Sequence, residues 1–381
     1  MHNADRGIFD LRRGHPIRVS GSGTDVLAAA VEGLTPGQLD RLTVMTGGRP
    51  RLILTPHRAS AMGWPQPLEE GWEGVALQPT GTVDPESLFV LASAPEGSDD
   101  ASSAARLLEG AVLQRAGESE AAALELVRAG RLLPAVVTAS IPDPEPEAIA
   151  SAVADGMLLD VDAAQAREVA EHPRLELAHV SEAPVPLADA PVTRFMLFRE
   201  GNGIQEHVAV VIGEPSRWPD PVPVRLHSAC LTGDLFGSLR CDCGDQLRRG
   251  VKMINDSGGG VLLYLAQEGR GIGLANKLRA YTMQHAGMDT IDSDCQLGFG
   301  ADGRRYEAAV EMLEFLGIDR VRVLTNNPAK IDALRAGGIE VASREPVHGT
   351  VNPHNLRYLS TKADRGGHWL EELLAAEAER G

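Results

Sequence analysis

Val222-Pro-Val-Arg-Leu-His227, Gly244-Asp-Gln-Leu-Arg-Arg-Gly-Val-Lys-Met-Ile254 and Gly260-Val-Leu-Leu-Tyr-Leu-Ala266 decide the reading of the fold. The first and third are short apolar runs of the kind that form buried strands, and the stretch between them is helix-like. Working outward, Leu274 to His285, Tyr306 to Leu316 and Pro328 to Ala336 are again helix-like. Val321-Arg-Val-Leu-Thr325 and Gly338-Ile-Glu-Val-Ala-Ser343 are again strand-like. Pro328 suits the first turn of its helix, where a missing N–H costs nothing, and Gly337-Gly338 would end it. Strands alternating with helices predict an α/β (α+β) domain, with mixed sheets and flanking helices.

The chain has 381 residues, too many for one ordinary core and suited to two domains. Ile141-Pro-Asp-Pro-Glu-Pro-Glu-Ala148 and Pro184-Val-Pro-Leu-Ala-Asp-Ala-Pro191 are punctuated by proline, with an Ala-rich, helix-like stretch from Pro146 to about His172 between them. The boundary is placed near residues 185–192, giving domains of residues 1–188 and 189–381. No internal repeat links the halves.

Hydrophobic residues make up 43% and charged residues 23%, the composition of a soluble globular protein. No run of about 18 apolar residues suggests a membrane span. The first residues lack the basic-then-apolar pattern of a secretory signal, so a cytoplasmic location is expected. The net charge of −17 is uneven: residues 191–381 carry 22 Lys and Arg against 25 Asp and Glu, leaving 14 against 28 for residues 1–190. Such a balance argues against a nucleic-acid partner, which wants a basic face. The acidic half reads as a solvated, solubilising surface.

All four cysteines lie in the second half. Three stand within Arg225-Leu-His-Ser-Ala-Cys-Leu-Thr-Gly-Asp-Leu-Phe-Gly-Ser-Leu-Arg-Cys-Asp-Cys-Gly-Asp-Gln-Leu247, spaced C-x10-C-x-C. Clustered cysteines in a cytosolic chain point to metal or catalysis rather than to disulfides. Thiolates suit zinc, and three protein ligands leave the fourth position open, the catalytic pattern. Cys295 could close the site as a fourth ligand, but no cysteine or histidine stands near it, and it reads as an inert buried thiol.

The run from His227 to Leu247 resembles the signature of GTP cyclohydrolase II. Gln267-Glu-Gly-Arg-Gly-Ile-Gly-Leu-Ala-Asn-Lys277, Arg279-Ala-Tyr281, Gln296-Leu-Gly-Phe-Gly-Ala-Asp-Gly-Arg304, Leu324-Thr-Asn-Asn-Pro-Ala-Lys330 and Tyr358-Leu-Ser-Thr-Lys362 match further motifs of that family in order and spacing. The resemblance covers nearly all of residues 190–381. It implies removal of a guanine ring carbon of GTP as formate, with release of pyrophosphate, in riboflavin biosynthesis. It implies one zinc per chain at Cys230, Cys241 and Cys243, magnesium with the triphosphate, and a homodimer.

The same resemblance assigns nucleotide contacts to Arg225, His227, Ser228, Gln246, Glu268, Gly269, Arg270, Thr290, Thr325 and Lys330. Glu268 and Gln246 are expected to read the guanine edge, whose amino and ring N–H groups a carboxylate can accept from. Tyr281 matches the family's tyrosine near the metal, where a phenol can orient water or hold developing charge. Asp302 and Arg304 match its proton acceptor and nucleophile. Arginine is almost always protonated, so a charge clamp on the departing pyrophosphate is the blander role for Arg304.

One departure stands beside the first cysteine. The family signature reads His-Ser-Glu-Cys, and this chain has His227-Ser228-Ala229-Cys230. The missing carboxylate leaves the metal ligands intact but bears on the rate, the second hydrolysis or the substrate range.

Ile8-Phe-Asp-Leu-Arg-Arg-Gly-His-Pro-Ile-Arg-Val19 reads as a helix followed by a strand. With Asp25-Val-Leu-Ala-Ala-Ala30 and later short blocks, it resembles 3,4-dihydroxy-2-butanone 4-phosphate synthase, a partner of GTP cyclohydrolase II in fused riboflavin proteins. The synthase's acidic loop is here Ser20-Gly-Ser-Gly-Thr-Asp25, its Gly-His-Thr-Glu is Gly117-Glu118-Ser119-Glu120, and Ser140 stands for another glutamate. A hard cation without its carboxylates is poorly held, so a catalytically inactive domain is expected, kept for stability, dimerisation or regulation. Two other readings stay open: a homologue on another pathway with an altered or partial reaction, and a non-catalytic nucleotide-binding protein.

Overall fold

The computed structural model describes residues 3–62, 71–95, 98–99, 105–171, 175–285, 287–300 and 302–378. The chain forms two compact units. One comprises Met1–Arg174 with Ala275–Met288 and Asp292–Gly303, the other Leu175–Leu274 with Asp289–Ile291 and Arg304–Gly381.

Among the described residues the first unit holds a seven-stranded sheet of β1 (Ile17–Ser20), β2 (Val26–Ala30), β3 (Arg51–Leu54), β4 (Val75–Gln78), β5 (Val112–Arg115), β6 (Ala135–Ser140) and β7 (Leu159–Asp162). Its order is β5-β4-β3-β6-β2-β1-β7, antiparallel except where β7 joins β1 in parallel. The helix Asn3–Arg12 precedes β1, and Glu118–Ala129 buries Ala121, Ala122, Ala123, Leu124, Leu126 and Val127. The Ala-rich stretch after Pro146 is not one helix. It is two, Glu147–Ala154 and Ala163–Glu171, separated by β7. A four-residue strand is too short to interrupt the composition that suggested a single helix.

The second unit's sheet is β8 (Leu177–Pro184), β9 (Thr193–Glu200), β10 (Glu206–Ile212), β11 (Val222–Ser228), β12 (Gly260–Leu265), β13 (Arg320–Leu324) and β14 (Glu340–Glu345), in the order β14-β13-β11-β12-β10-β9-β8. β11 to β14 run parallel, and β8 to β10 form an antiparallel meander on the other side. Because β8 pairs with β9, residues 177–184 belong to this sheet, ahead of the proline segment that suggested the boundary. An exposed edge strand needs no apolar run, and β8 has none.

Side chains alternate across a strand, so each face of the central sheet needs its own cover. Val261, Leu263 and Leu265 of β12 join Val224 and Leu226 of β11 in a core with Ala309, Met312 and Leu313 of the helix Glu307–Phe315. Leu262 and Tyr264, facing the other way, share a core with Val251 and Ile254 of the helix Cys243–Asp256. The opposite parity in β11 puts Arg225 and His227 on that second face. Two charged or polar groups thus replace core residues just where the strand ends. In open α/β sheets, ligands bind outside the carboxyl ends of the parallel strands. Cys230 follows β11, Glu268 follows β12 and Thr325 follows β13, all at that end.

Candidate active site

The chain leaves β11 through Ala229, whose N–H donates to the Leu265 carbonyl at 2.8 Å, and turns at Cys230 into the short helix Leu231–Asp234. Cys241 and Cys243 stand at the start of Cys243–Asp256, and all three sulfurs lie within 4.8 Å of one another. Cys230 and Cys241 are buried, with Sγ atoms 3.7 Å apart. Among the described residues this is the one group of three or more Cys, His, Asp or Glu side chains close enough to share a metal ion. Cys295 is counted with the other unit.

Two glycines make the cluster possible. A Cβ on Gly233 would lie 2.7 Å from the Cys241 sulfur and 3.1 Å from that of Cys230. One on Gly244 would lie 2.3 Å from the Gly233 carbonyl oxygen. The two backbones therefore touch where any side chain would separate them. As bare thiols the sulfurs resist ionisation together: the neighbouring Cys230 sulfur, then burial, push Cys241 up to about 11. Cys230 and Cys241 raise Cys243 well above its ordinary value. A cation of suitable softness reverses that penalty, so the donor set and the space left by Gly233 fit zinc.

Behind the sulfurs Asp234 gathers three donors. His227 Nε2 lies 3.1 Å from both carboxylate oxygens, Tyr264 donates its hydroxyl at 2.9 Å, and the Cys230 N–H donates at 2.9 Å. His227 stacks on Tyr264 with centroids 5.5 Å apart. Burial lowers the His227 pKa, and the ring presents Nε2 to Asp234 and Nδ1 to Arg225 at 3.4 Å. Burial likewise lowers Arg225 to about 10. Its guanidinium donates to Gln246 Oε1 at 2.9 Å and to the Leu324 carbonyl at 3.2 Å. Gln246 in turn donates to Asp242 at 2.6 Å, and Lys362 meets the other oxygen of Asp242 at 3.3 Å.

Glu268 accepts from the Leu231 N–H at 2.6 Å, which ties the turn after β12 to the cysteine loop. In that turn Gly269 and Arg270 both take the left-handed conformation, with φ 62° and 60°. For arginine this costs on the order of 1–2 kcal/mol. Strain of this kind collects at functional sites. Arg270 Nη2 donates to the Thr290 carbonyl at 3.0 Å. Lys330, on the helix Pro328–Ala336 that Asn327 caps, donates to the Leu226 carbonyl at 2.7 Å. Thr325 Oγ1 accepts from the Asn327 N–H at 3.0 Å. Burial, then the charges of Arg225, Arg304 and Lys362, hold the Lys330 pKa well below its usual value.

His368 stands beside this positive group as a neutral ring: burial, then the charges of Lys362, Arg304 and Lys330, lower it to about 3. A base whose pKa falls on folding favours the fold above its unfolded value of 6.5, and that favour is lost as pH drops towards 3. The thermal midpoint of the chain should therefore fall between pH 6.5 and 5, and His368→Asn should flatten that fall. An unchanged slope in scanning calorimetry of the variant would show that His368 titrates normally.

The second unit thus brings together the three cysteines, Arg225, His227, Ser228, Gln246, Glu268, Gly269, Arg270, Thr290, Arg304, Thr325 and Lys330. Tyr281, half-buried, and Asp302, exposed, are counted with the first unit.

Comparison with known proteins bears on what this arrangement is. The family model for GTP cyclohydrolase II matches residues 178–346. GTP cyclohydrolase-2 of Xylella fastidiosa (strain 9a5c) is 42% identical over 369 residues, covering 96% of this chain and 87% of that protein. The chain belongs to the GTP cyclohydrolase II family. It is accordingly an enzyme of that type. Riboflavin biosynthesis protein RibBA of Synechocystis sp. is 42% identical over 275 residues, 70% of this chain and 48% of that protein. A solved structure, RibBX, a two domain 3,4-dihydroxy-2-butanone 4-phosphate synthase from A. baumannii, aligns with 91% of this chain and 99% of its own at 16% identity. Its TM-score of 0.32 is too slight a likeness to place the first unit's fold or activity.

Within this GTP cyclohydrolase II the motif reading passed over three residues. Asp234 holds His227, Tyr264 and Cys230 together. Lys362 reaches Asp242 between two of the cysteines. Gln267 donates to Ser228 Oγ at 3.0 Å and accepts the Arg305 N–H at 3.0 Å, joining β11 to the stretch that carries Arg304. All three stand inside motifs already quoted. Their signal was position in the motif rather than residue type.

Proposed function

We propose that this GTP cyclohydrolase II hydrolyses GTP to a diaminopyrimidine ribosyl phosphate, formate and pyrophosphate, as the first step of riboflavin biosynthesis. Zinc at Cys230, Cys241 and Cys243, one per chain, and magnesium on the triphosphate would be its ions, and a cytoplasmic homodimer its working form. The observation that carries the reading is the three-cysteine cluster, two of its sulfurs buried and all packed against Gly233, in a chain of this family. Cys230, Cys241 and Cys243 would hold the zinc, and the Lewis acidity it would supply there is what makes a water usable as a nucleophile near neutral pH.

The chain's own residues do the rest. Arg225, Arg304 and Lys362 all bear electrostatically on the buried Lys330, and basic groups gathered from separate stretches suit a polyanion such as a triphosphate. That company also favours the clamp role for Arg304: neighbouring cations make a guanidinium easier to deprotonate, but they serve a departing pyrophosphate more directly. Asp302 would draw the proton, and Tyr281 would orient water or hold developing ring charge. Glu268 and Gln246 would meet the guanine edge by exchanging bonds they now make to Leu231, Arg225 and Asp242. GTP and magnesium with the purified protein, products identified by mass and zinc measured per chain, test the whole assignment. An absent diaminopyrimidine with formate also absent would refute it.

Ala229 supports a second reading, an altered or partial reaction. It is half-buried beside Cys230, with its N–H committed to Leu265. If the family's glutamate only positions substrate, GTP should still release formate, with kcat/KM reduced about 10- to 150-fold, the equivalent of roughly 1.5–3 kcal/mol. Ala229→Glu should then recover part of it. If the carboxylate drives the second hydrolysis, the protein should stop at the ring-opened formamide, without formate. Kinetics unmoved by Ala229→Glu would show that the position carries no weight.

The first unit would be a synthase-like domain without its chemistry. Arg18 pairs with Asp25 at 2.7 Å, Glu145 at 3.0 Å and Asp160 at 3.6 Å, and Arg167 pairs with Glu118 at 3.2 Å. Arginines thus occupy carboxylates that a magnesium site would need. No dihydroxybutanone phosphate should form from ribulose 5-phosphate and magnesium. Turnover lost on mutating Asp25 or Glu118 would overturn this.

A further inference from the structure

Past β14, residues 347–370 return to the start of the helix Cys243–Asp256, within the second unit. Both ends of this segment are fastened to Asn326. The Asn326 side chain donates to the Val347 carbonyl at 2.6 Å and accepts the Val347 N–H at 3.2 Å, while its main-chain carbonyl accepts the Trp369 N–H at 2.9 Å. Val347 and Leu370 are buried, at 1% and 2% exposure. Between them the cysteine helix makes further ties: Arg249 donates to the His348 carbonyl at 2.8 Å, and Asp245 accepts the Thr350 N–H at 3.2 Å. Asn355, fully buried, donates to the Thr350 carbonyl at 2.9 Å and begins the helix Leu356–Asp364. Fastened at both ends to one residue, the segment is a belt rather than a tail.

The belt lies directly on the turn Cys241-Asp242-Cys243. A Cβ on Gly349 would stand 2.4 Å from the Asp242 Cβ and 3.0 Å from the Asp242 carbonyl oxygen, so the two backbones touch. Asp242 is 2% exposed and holds the N-cap position of the helix Cys243–Asp256, yet its side chain makes no capping bond. An aspartate there ordinarily accepts from the first N–H groups of its own helix. Here one carboxylate oxygen accepts from Gln246 at 2.6 Å, and the other accepts from Lys362 Nζ at 3.3 Å. Lys362 stands on the helix Leu356–Asp364, its ammonium 4.3 Å from the Tyr358 ring centroid, and its carbonyl accepts the His368 N–H at 3.0 Å. Removing one partner of a buried ion pair is strongly destabilising, so this pair binds the residue between two cysteines to the belt.

We infer that Lys362 is a positioning residue for the metal site: through Asp242 it holds the Cys241-Asp242-Cys243 turn in the shape that brings both sulfurs to one ion. The belt of residues 347–370 is what keeps Lys362 in place. The inference rests on the reading of the three cysteines as a zinc site, and it deepens that reading by naming what orients two of the ligands. Groups behind a ligand set its direction, and their loss typically weakens metal binding about 10- to 100-fold. The charge of Lys362 is met by a carboxylate inside the protein, so its weight falls on retention of the ion.

The test uses the full chain loaded with zinc and times the transfer of the metal to a chromogenic chelator. Lys362→Met should speed release about 10- to 100-fold. Lys362→Arg, which keeps a cation on Asp242, should restore most of the wild-type rate. Asp242→Asn should also speed release, and the double variant Asp242→Asn/Lys362→Met should be no faster than the quicker single one, because the lysine acts through the aspartate. Gly349→Ala leaves every charge in place but forces the belt off Asp242, and it too should speed release. Should Lys362→Met fail to fold, Gly349→Ala carries the test alone. Amide exchange at residues 241–249 should quicken in these variants while residues 261–265 stay as protected as before. Wild-type release from the folded variants overturns the inference. So does a double variant whose effects multiply, since the lysine would then act on the sulfurs by its charge alone. A raised KM for GTP in Lys362→Met with release unaltered overturns it as well, by giving the lysine to the nucleotide. A wild type that takes up no zinc refutes the metal reading instead, and exchange at residues 241–249 of the metal-free variants then decides whether the belt holds the turn.

Discussion

Cys241→Ser should release the metal and reduce GTP turnover to below about one-thousandth, since losing the metal's several kcal/mol of transition-state stabilisation costs about that much. Cys241 is buried, and its sulfur lies 3.7 Å from that of Cys230 and 2.7 Å from where a Gly233 Cβ would stand. A serine hydroxyl fits the space but is a hard donor that does not ionise near neutral pH. The fold should survive, because the sheet and both its cores are built without the cluster. Elemental analysis, formate release and far-UV circular dichroism check the three parts separately. Cys295→Ala should keep its zinc. If Cys295→Ala also strips the metal, the open three-ligand site is wrong.

Asp234→Ala should be the most damaging single change outside the metal ligands. Its carboxylate is 6% exposed and satisfies His227, Tyr264 and the Cys230 N–H. Removing it leaves three buried or half-buried donors unpaired, at up to roughly 1–3 kcal/mol each, a large share of the stability of a domain. Asp234→Asn keeps the shape but turns an NH₂ towards groups that are themselves donors. It should be milder in urea unfolding yet still impair turnover, because Cys230 loses the anchor of its backbone. A loss below about 1 kcal/mol in Asp234→Ala would show that water replaces the carboxylate and that the network is not rigid.

Much of the parallel half of the second sheet was legible in the sequence. Its central strands β11 and β12 are buried on both faces and therefore read as short, mostly apolar runs, and the helices Leu274–His285 and Pro328–Ala336 fall where their patterns place them. The antiparallel half was not seen. β8 lies exposed at the edge and mixes His179, Ser181 and Glu182 with a few apolar residues, because an edge strand has only one neighbour to satisfy. The cysteine cluster could be read because thiols at that spacing have few other uses. Asp234, Gln267 and Lys362 could not, since an acid, an amide or a lysine means nothing until the groups facing it are known. The cationic group draws Arg225, Arg304, Lys330 and Lys362 from stretches that no local pattern connects.

The place of β8 decides where this protein can be cut. Residues 177–184 pair along β9 from Leu177 opposite Glu200 to Pro184 opposite Arg194, and His179 rests against Phe198 and Phe315 at centroid distances of 5.5 and 5.2 Å. A fragment begun at the proline segment, near residue 189, would discard that strand. It would bare the backbone donors and acceptors of Thr193-Arg-Phe-Met-Leu-Phe-Arg-Glu200, a long and largely apolar ribbon open to any other chain. Such a fragment should come out of cells as aggregate, whatever its catalytic residues are worth. One begun near Leu175 would carry its own edge guard and should stay in solution.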